Sequence, residues 1–240
     1  MRGRQWVALA IGLATAIGCA RLGLWQLDRR AARQAHNETV RANAEAAPTP
    51  LSGLGLPVDS LWFRRVVMRG QWDYHHEIAL TGRSRNGSPG VHILTPLVPN
   101  GIEHAVLVNR GWVYAPDAAS IDFDRWAEGD SATFLGYVEL FPDPDADARD
   151  PRSTRSARAW HRLDTTSLAR TLPYALEPYY VVALPDSGAP PAPDRPARLD
   201  LPQLGAGPHL SYAIQWFTFG TIGLVGAAIL IWRDRKRLSL

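Results

Sequence analysis

Two apolar runs near the ends of this 240-residue chain constrain its fold more than any other feature. From Leu210 to Trp232 there are 23 residues without a charge, closed by the basic stretch Arg233-Asp234-Arg235-Lys236-Arg237. A helix of that length measures about 35 Å at roughly 1.5 Å per residue, enough to cross a bilayer core of about 30 Å. The other run is uncharged from Trp6 to Ala20, is interrupted by Arg21, and continues through Leu22-Gly23-Leu24-Trp25. Gly18-Cys19-Ala20 imitates a signal-peptide cut site, but the apolar stretch runs past it, so the segment reads as an uncleaved span. Arg21 lies close enough to the end of that span to snorkel.

The chain therefore divides into an N-terminal transmembrane helix (1–27), a β-rich domain (28–208), a C-terminal transmembrane helix (209–232) and a basic tail (233–240). Of the 26 Lys+Arg, three lie in the N-terminal segment and four in the tail. The stretch 28–208 keeps 19 against 22 Asp+Glu, a net charge of −3. The basic balance thus comes from the ends, and no basic, aromatic-interleaved face exists for nucleic acid. By the positive-inside rule the tail is cytoplasmic, so both termini face inward and the large domain is extracytoplasmic. Arg29, Arg30 and Arg33, directly after the first span, oppose that orientation and call for another role. Cys19 is the only cysteine and sits inside a span, so the outer domain carries no disulfide. With no Cys-x-x-Cys pair and two Met, thiolate copper carriage and covalent haem are disfavoured.

Arg29 to Ala46 reads as a helix continuing out of the membrane and ending before Pro48 and Pro50. Residues 48–60 form a Pro- and Gly-rich loop. Strands are expected at 62–70, 77–83, 91–98, 104–113, 133–140 and 179–184, with turns at Asn86–Gly90 and Pro99–Gly101. The Asp-, Arg- and Pro-rich stretch 142–158 reads as a loop. Asp164-Thr165-Thr166-Ser167 offers a cap to a helix over 168–172. Short strands at hairpin spacing predict a mainly antiparallel, partly closed sheet.

No nucleophile elbow, phosphate loop, zinc-protease helix or dinucleotide fingerprint is present, so the chain reads as a non-enzyme. Asp143–Asp147 resembles the start of a calcium loop but lacks its glycine and closing glutamate. His75 and His76, placed in a strand, point to opposite faces and cannot share a metal. Arg110, between two hydrophobic strand halves, calls for a carboxylate or an anionic ligand, or an edge-strand ion pair. On the last helix, His209, Tyr212, Ala213, Trp216, Gly220 and Gly223 share one face by their i, i+3, i+4 spacing. An imidazole followed by two aromatics and small residues suits a flat macrocycle whose iron the ring nitrogen ligates. Gln215 is placed to add a hydrogen bond. Interfacial Tyr and Trp belts and small-residue helix packing account for the same pattern.

Three clusters are too particular for generic scaffold: Gly23-Leu24-Trp25-Gln26-Leu27-Asp28-Arg29-Arg30, Gly90-Val91-His92-Ile93-Leu94-Thr95-Pro96-Leu97, and Val106-Leu107-Val108-Asn109-Arg110-Gly111-Trp112-Val113. With Arg65-Val66 and Gly70, and with His209-Leu210-Ser211-Tyr212-Ala213-Ile214-Gln215-Trp216-Phe217, they resemble the surfeit locus protein 1 family over nearly the whole chain. Asp28 departs from that family's Trp-Gln…Arg-Arg signature. The resemblance implies an assembly factor for haem–copper cytochrome c oxidase in a bacterial inner membrane. Its expected cargo is haem a, held non-covalently and transiently. Its expected partners are oxidase subunit I, the haem a synthesis machinery and the lipid bilayer. The histidine opening the family's last helix is its implicated haem ligand, which corresponds to His209. Trp25, Tyr212 and Trp216 are expected against the ring, and Arg29 and Arg30 near its propionates. The alternative is a haem-free scaffold that grips a nascent oxidase subunit through the outer domain.

Overall fold

The computed structural model describes residues 2–51, 56–99, 104–142, 158–186, 192–202 and 204–236. They form two compact units, one from residues 1–39 with 203–240, the other from residues 40–202.

The first unit contains two helices long and apolar enough to cross a membrane, which mark the chain as membrane-associated. Helix α1 runs unbroken from Arg2 to Glu45, its apolar first half passing directly into the Ala-, Arg- and Gln-rich second half. Ala47 and Pro48 stop it, as the sequence predicts. The last helix spans His209–Lys236.

In the second unit the chain builds β1 (Thr49–Pro50), β2 (Arg65–Trp72), β3 (Ile78–Arg85), β4 (Ser88–Pro99), β5 (Ala105–Tyr114), β6 (Ser131–Leu140) and β7 (Ala159–Trp160). Helix α2 (Thr165–Thr171) and β8 (Leu176–Ala183) follow, so the last helix is α3. Strands β2, β6, β8, β5 and β4 pair in a ring, and the β2–β4 contact closes it into a five-stranded barrel. All five pairings are antiparallel except β5 with β8. The expectation of two apolar helices flanking a mainly antiparallel, β-rich domain holds.

Closure depends on Gly70, which faces Pro99 across the β2–β4 seam. A Cβ there would stand 2.4 Å from the Val98 carbonyl oxygen, so a residue with a side chain would hold the strands apart. Alternation along β2 sends Val66 and Met68 into the barrel, where they meet Leu97, Val106, Val108, Val138 and Val181. Strands β4 and β5 are buried on both faces. Their other side is covered by α2, whose Leu168 packs with Leu80, Leu94, Leu107 and Trp160. Double coverage explains why these strands read as continuous hydrophobic runs. Asp164 caps α2, accepting from the Thr166 backbone N–H at 3.0 Å.

Arg110, on the interior strand β5, has a side chain with 0% exposure. Its five N–H groups all find acceptors. Nε donates to Glu128 Oε1 at 3.0 Å, and Nη1 donates to Glu77 Oε2 and Thr95 Oγ1 at 3.2 and 3.3 Å. Nη2 donates to Glu128 Oε1 at 2.8 Å and to the Trp126 carbonyl. Trp72 and Tyr74 present their rings to the guanidinium at 5.4 and 5.2 Å. Arg158 takes the other oxygen of Glu77 at 3.2 Å, and Arg198 pairs with Glu128. Residues 197–198 reach this place because Gly111 lacks a Cβ, which would stand 2.4 Å from the Ala197 carbonyl oxygen. Arg110, on an interior strand rather than an edge, is therefore partnered by the protein's own carboxylates, the buried Glu77 and the partly exposed Glu128.

The placement of His75 and His76 in a strand does not hold: Tyr74–His76 is a 3-10 turn. Asp73 caps it, and a backbone leaving a barrel strand for a tight turn abandons the period of two. His76 Nδ1 meets Asp73 Oδ2 at 2.7 Å, and Tyr174 Oη donates to the same oxygen at 2.5 Å. Most of the loop read at 142–158, with the calcium-like Asp143–Asp147, lies outside the described residues, as does the turn at Asn100-Gly101.

Two expectations follow. Arg110→Met leaves the buried Glu77 and the partly exposed Glu128 under-compensated, and should cost about 3–5 kcal/mol in denaturant unfolding of the purified protein. The second concerns His92 on β4. Asn109 Oδ1 accepts from the Gly111 N–H at 3.1 Å, so its amide nitrogen donates to His92 Nδ1 at 3.2 Å. Burial, aided by the nearby charge of Arg83, holds the imidazole down to about 4. The folded value is depressed, so the neutral ring stabilises fully above the unfolded value of about 6.5 and progressively less as pH falls to about 4. Unfolding midpoints across that window should fall less steeply for His92→Gln than for the wild type.

Candidate functional site

The faces that α1 and α3 turn toward each other are built on small residues at alternating spacings of four and three. On α1 they are Gly12, Ala16, Cys19, Gly23 and Gln26; on α3 they are His209, Ala213, Trp216, Gly220, Gly223 and Ala227. That spacing is the 3.5-residue period at which two helices keep one seam in contact. A Cβ built on Gly12 would lie 2.7 Å from Ala227 Cβ, and one on Gly23 would lie 2.7 Å from the Phe217 ring. A Cβ on Gly220 would lie 3.2 Å from Cys19 Cβ. The pairs run in opposite directions along the two helices, so the helices are antiparallel. Small residues let backbones approach where lipid supplies no hydrophobic drive for association.

The end of this seam where α3 begins is polar. His209 opens α3, and its Nδ1 meets Gln26 Oε1 of α1 at 2.9 Å. A carbonyl oxygen only accepts, so Nδ1 carries the proton and donates. Nε2 is then the ring nitrogen with a lone pair. Ser211 Oγ donates to the Pro208 carbonyl at 2.7 Å and secures the first turn of α3. The segment before it is tied to α1 by Asn37, whose amide donates to the Gly205 carbonyl at 3.2 Å.

The other singled-out residues occupy different settings. Trp216 lies half-buried in the seam with its ring 6.2 Å from that of Phe219, edge to face. Tyr212 turns off the seam and is 47% exposed; Trp25, one residue before Gln26, is 53% exposed. Arg29 is exposed and Arg30 half-buried, three and four residues beyond Gln26 and so within one turn of it. The structure thus brings His209 and Trp216 onto the packing face, and leaves Trp25, Tyr212 and Arg29 on open surface. The partner of His209 is Gln26 rather than Gln215. Sequence reasoning missed this pairing, because it depends on the register of two helices far apart in the chain. The signal at hand was a single glutamine at the edge of an apolar run.

An imidazole whose Nδ1–H is hydrogen-bonded offers a metal one donor atom, Nε2. Among the described residues no group of three or more His, Cys, Asp or Glu gathers to hold a bare ion. One imidazole suits a metal whose equatorial positions a macrocycle already fills. Exposed indole and phenol rings provide apolar area for the ring, and guanidinium groups provide donors for carboxylate substituents.

The seam makes a direct prediction. Gly220→Cys should form a disulfide with Cys19 on mild oxidation, detected by mass spectrometry of the full-length protein. Adding Gly23→Val, which drives a side chain into Phe217, should lower its yield several-fold.

The SURF1 family model matches residues 13–221, from the first span to the middle of the last. An uncharacterised SURF1-like protein of Mycobacterium bovis is 27% identical over 97% of this chain and 86% of its own length. Surfeit locus protein 1 of Homo sapiens is 25% identical over 95% of this chain and 76% of its own. That of Xenopus tropicalis is 23% identical, covering 95% of this chain and 74% of its own. With nearly nine-tenths of its length matched by the family model, the chain belongs to the SURF1 family.

Proposed function

We propose that this protein is an assembly factor for haem–copper cytochrome c oxidase, taking up haem a at the outer end of its helix pair and passing it to subunit I. The observation that carries this reading is the His209–Gln26 pair: a histidine at the mouth of a spanning helix, with one ring nitrogen hydrogen-bonded and the other available. Membership of the SURF1 family supports the oxidase-assembly role.

In this reading haem a is cargo, and the chain's own residues bind and orient it. His209 Nε2 is the iron ligand. The seam is closed by Gly23 against Phe217; Trp25, Tyr212 and Trp216 would give the macrocycle apolar surface to pack on. Arg29 and Arg30 donate to the propionates. A single neutral imidazole is a modest ligand, which suits a cargo that must leave again. No bond in haem a is made or broken, so no catalytic residue is assigned. The basic residues at the C-terminal end of α3 support, by the positive-inside rule, an orientation with both termini in the cytoplasm of a bacterial inner membrane and the β-rich domain on the other side. The haem a synthesis machinery is then the donor on the same membrane.

The test is the visible spectrum of the full-length protein purified in detergent from cells making haem a. The wild type should show a Soret band, and His209→Ala should lose at least nine-tenths of it with the far-ultraviolet circular dichroism unchanged. Arg29→Ala with Arg30→Ala should weaken haem a binding several-fold without abolishing it. An equal band in His209→Ala overturns the site. No band in either protein favours a haem-free scaffold that holds the nascent subunit.

A further inference from the structure

A ligating histidine is useful only in one of its two neutral tautomers. Free imidazole side chains favour the proton on Nε2, the nitrogen that must be bare to ligate here. At His209 the opposite tautomer is selected, because Gln26 Oε1 sits 2.9 Å from Nδ1 and can only accept. The group beyond Nε2 is Gly207. Its φ of +70° lies in the left-handed region that favours glycine, and a Cβ there would stand 3.3 Å from Nε2 and 3.2 Å from Cδ2. A side chain at position 207 would therefore crowd the nitrogen that Gln26 leaves unprotonated. Asn37 holds the turn in place through the Gly205 carbonyl.

We infer that Gln26 is a positioning residue that sets His209 as its Nδ1–H tautomer, and that Gly207 keeps the approach to Nε2 open. The inference rests on the reading of His209 as haem ligand. Partners on the second nitrogen of a ligating histidine set ring orientation and basicity, and their loss changes metal affinity by about 10–100-fold. A carboxylate would draw the proton harder and strengthen the ligand. A neutral amide orients the ring equally well while leaving it a weaker base, as release of the cargo requires.

The experiment uses the full chain in detergent with selectively ¹⁵N-labelled histidine. In the haem-free wild type, His209 should show the Nδ1–H tautomer; in Gln26→Leu it should revert to Nε2–H. Haem a added from detergent solution should bind Gln26→Leu about 10-fold or more weakly. Gln26→Glu should bind it more tightly, with a lower midpoint potential. Gly207→Ala should weaken binding while leaving the tautomer as Nδ1–H. An Nε2–H tautomer in the wild type overturns the inference, because the nitrogen assigned to iron would carry the proton. It is overturned as well if Gln26→Leu changes neither tautomer nor affinity while His209→Ala abolishes binding. If His209→Ala retains haem a, the reading of the site fails, and the tautomer measured without haem stands as a separate result.

Discussion

The close approach of α1 and α3 is the constraint on which the candidate site depends. In a bilayer the two helices gain little by hiding apolar surface from lipid that is equally apolar. Association rests on contact area and on polar groups that find partners. Glycine and alanine at Gly12, Ala16, Gly23, Gly220 and Ala227 bring the backbones together along several turns. The seam ends at a polar pair, Gln26 with His209. A displacement of one residue in register would carry Gln26 about 100° away from His209 around the helix axis and dissolve the pair. The geometry of the His209–Gln26 pair is thereby written into residues with no side-chain chemistry of their own.

The barrel solves a different problem by an equally local device. Five strands close only if β2 and β4 meet, and Gly70 is where they meet. Closure leaves Arg110 without water, so each of its donors requires an acceptor; Glu77, Glu128, Thr95 and the Trp126 carbonyl supply them. These partners come from the turn after β2, from β4 and from the segment leading to β6, and residue 198 arrives to share Glu128. The charge cluster therefore ties together stretches distant in the chain. Replacing both sides by apolar groups of similar shape removes that requirement, whereas removing one side leaves the other uncompensated.

Much of this was legible in the chain itself. The apolar end segments, the helix running on to the prolines after it, the cap at Asp164 and the main strands follow from periodicity and turn residues. Arg110 was recognisable as a charge in need of a partner, since an arginine flanked by Val108 and Val113 cannot stay buried alone. What the sequence did not show is instructive in each case. The turn at His75-His76 looked like strand because its neighbours alternate; the cap from Asp73 decided otherwise. The parallel pairing of β5 with β8 carries no local signal, because it arises from a long connection.

Which residues can touch is the division between the two levels. The order of residues alone determined the helices, the strands, the candidate ligand His209 and the arginines that follow the first span. These depend on patterns within a few turns of chain. Tertiary structure alone decided that Gln26 holds His209, that Trp216 is in the seam while Tyr212 is outside it, and that Glu77 and Glu128 neutralise Arg110. Each of those pairings joins groups separated by many residues, and the rotation of one helix or the register of one strand selects them. Packing of small residues and closure of the sheet set that rotation and that register.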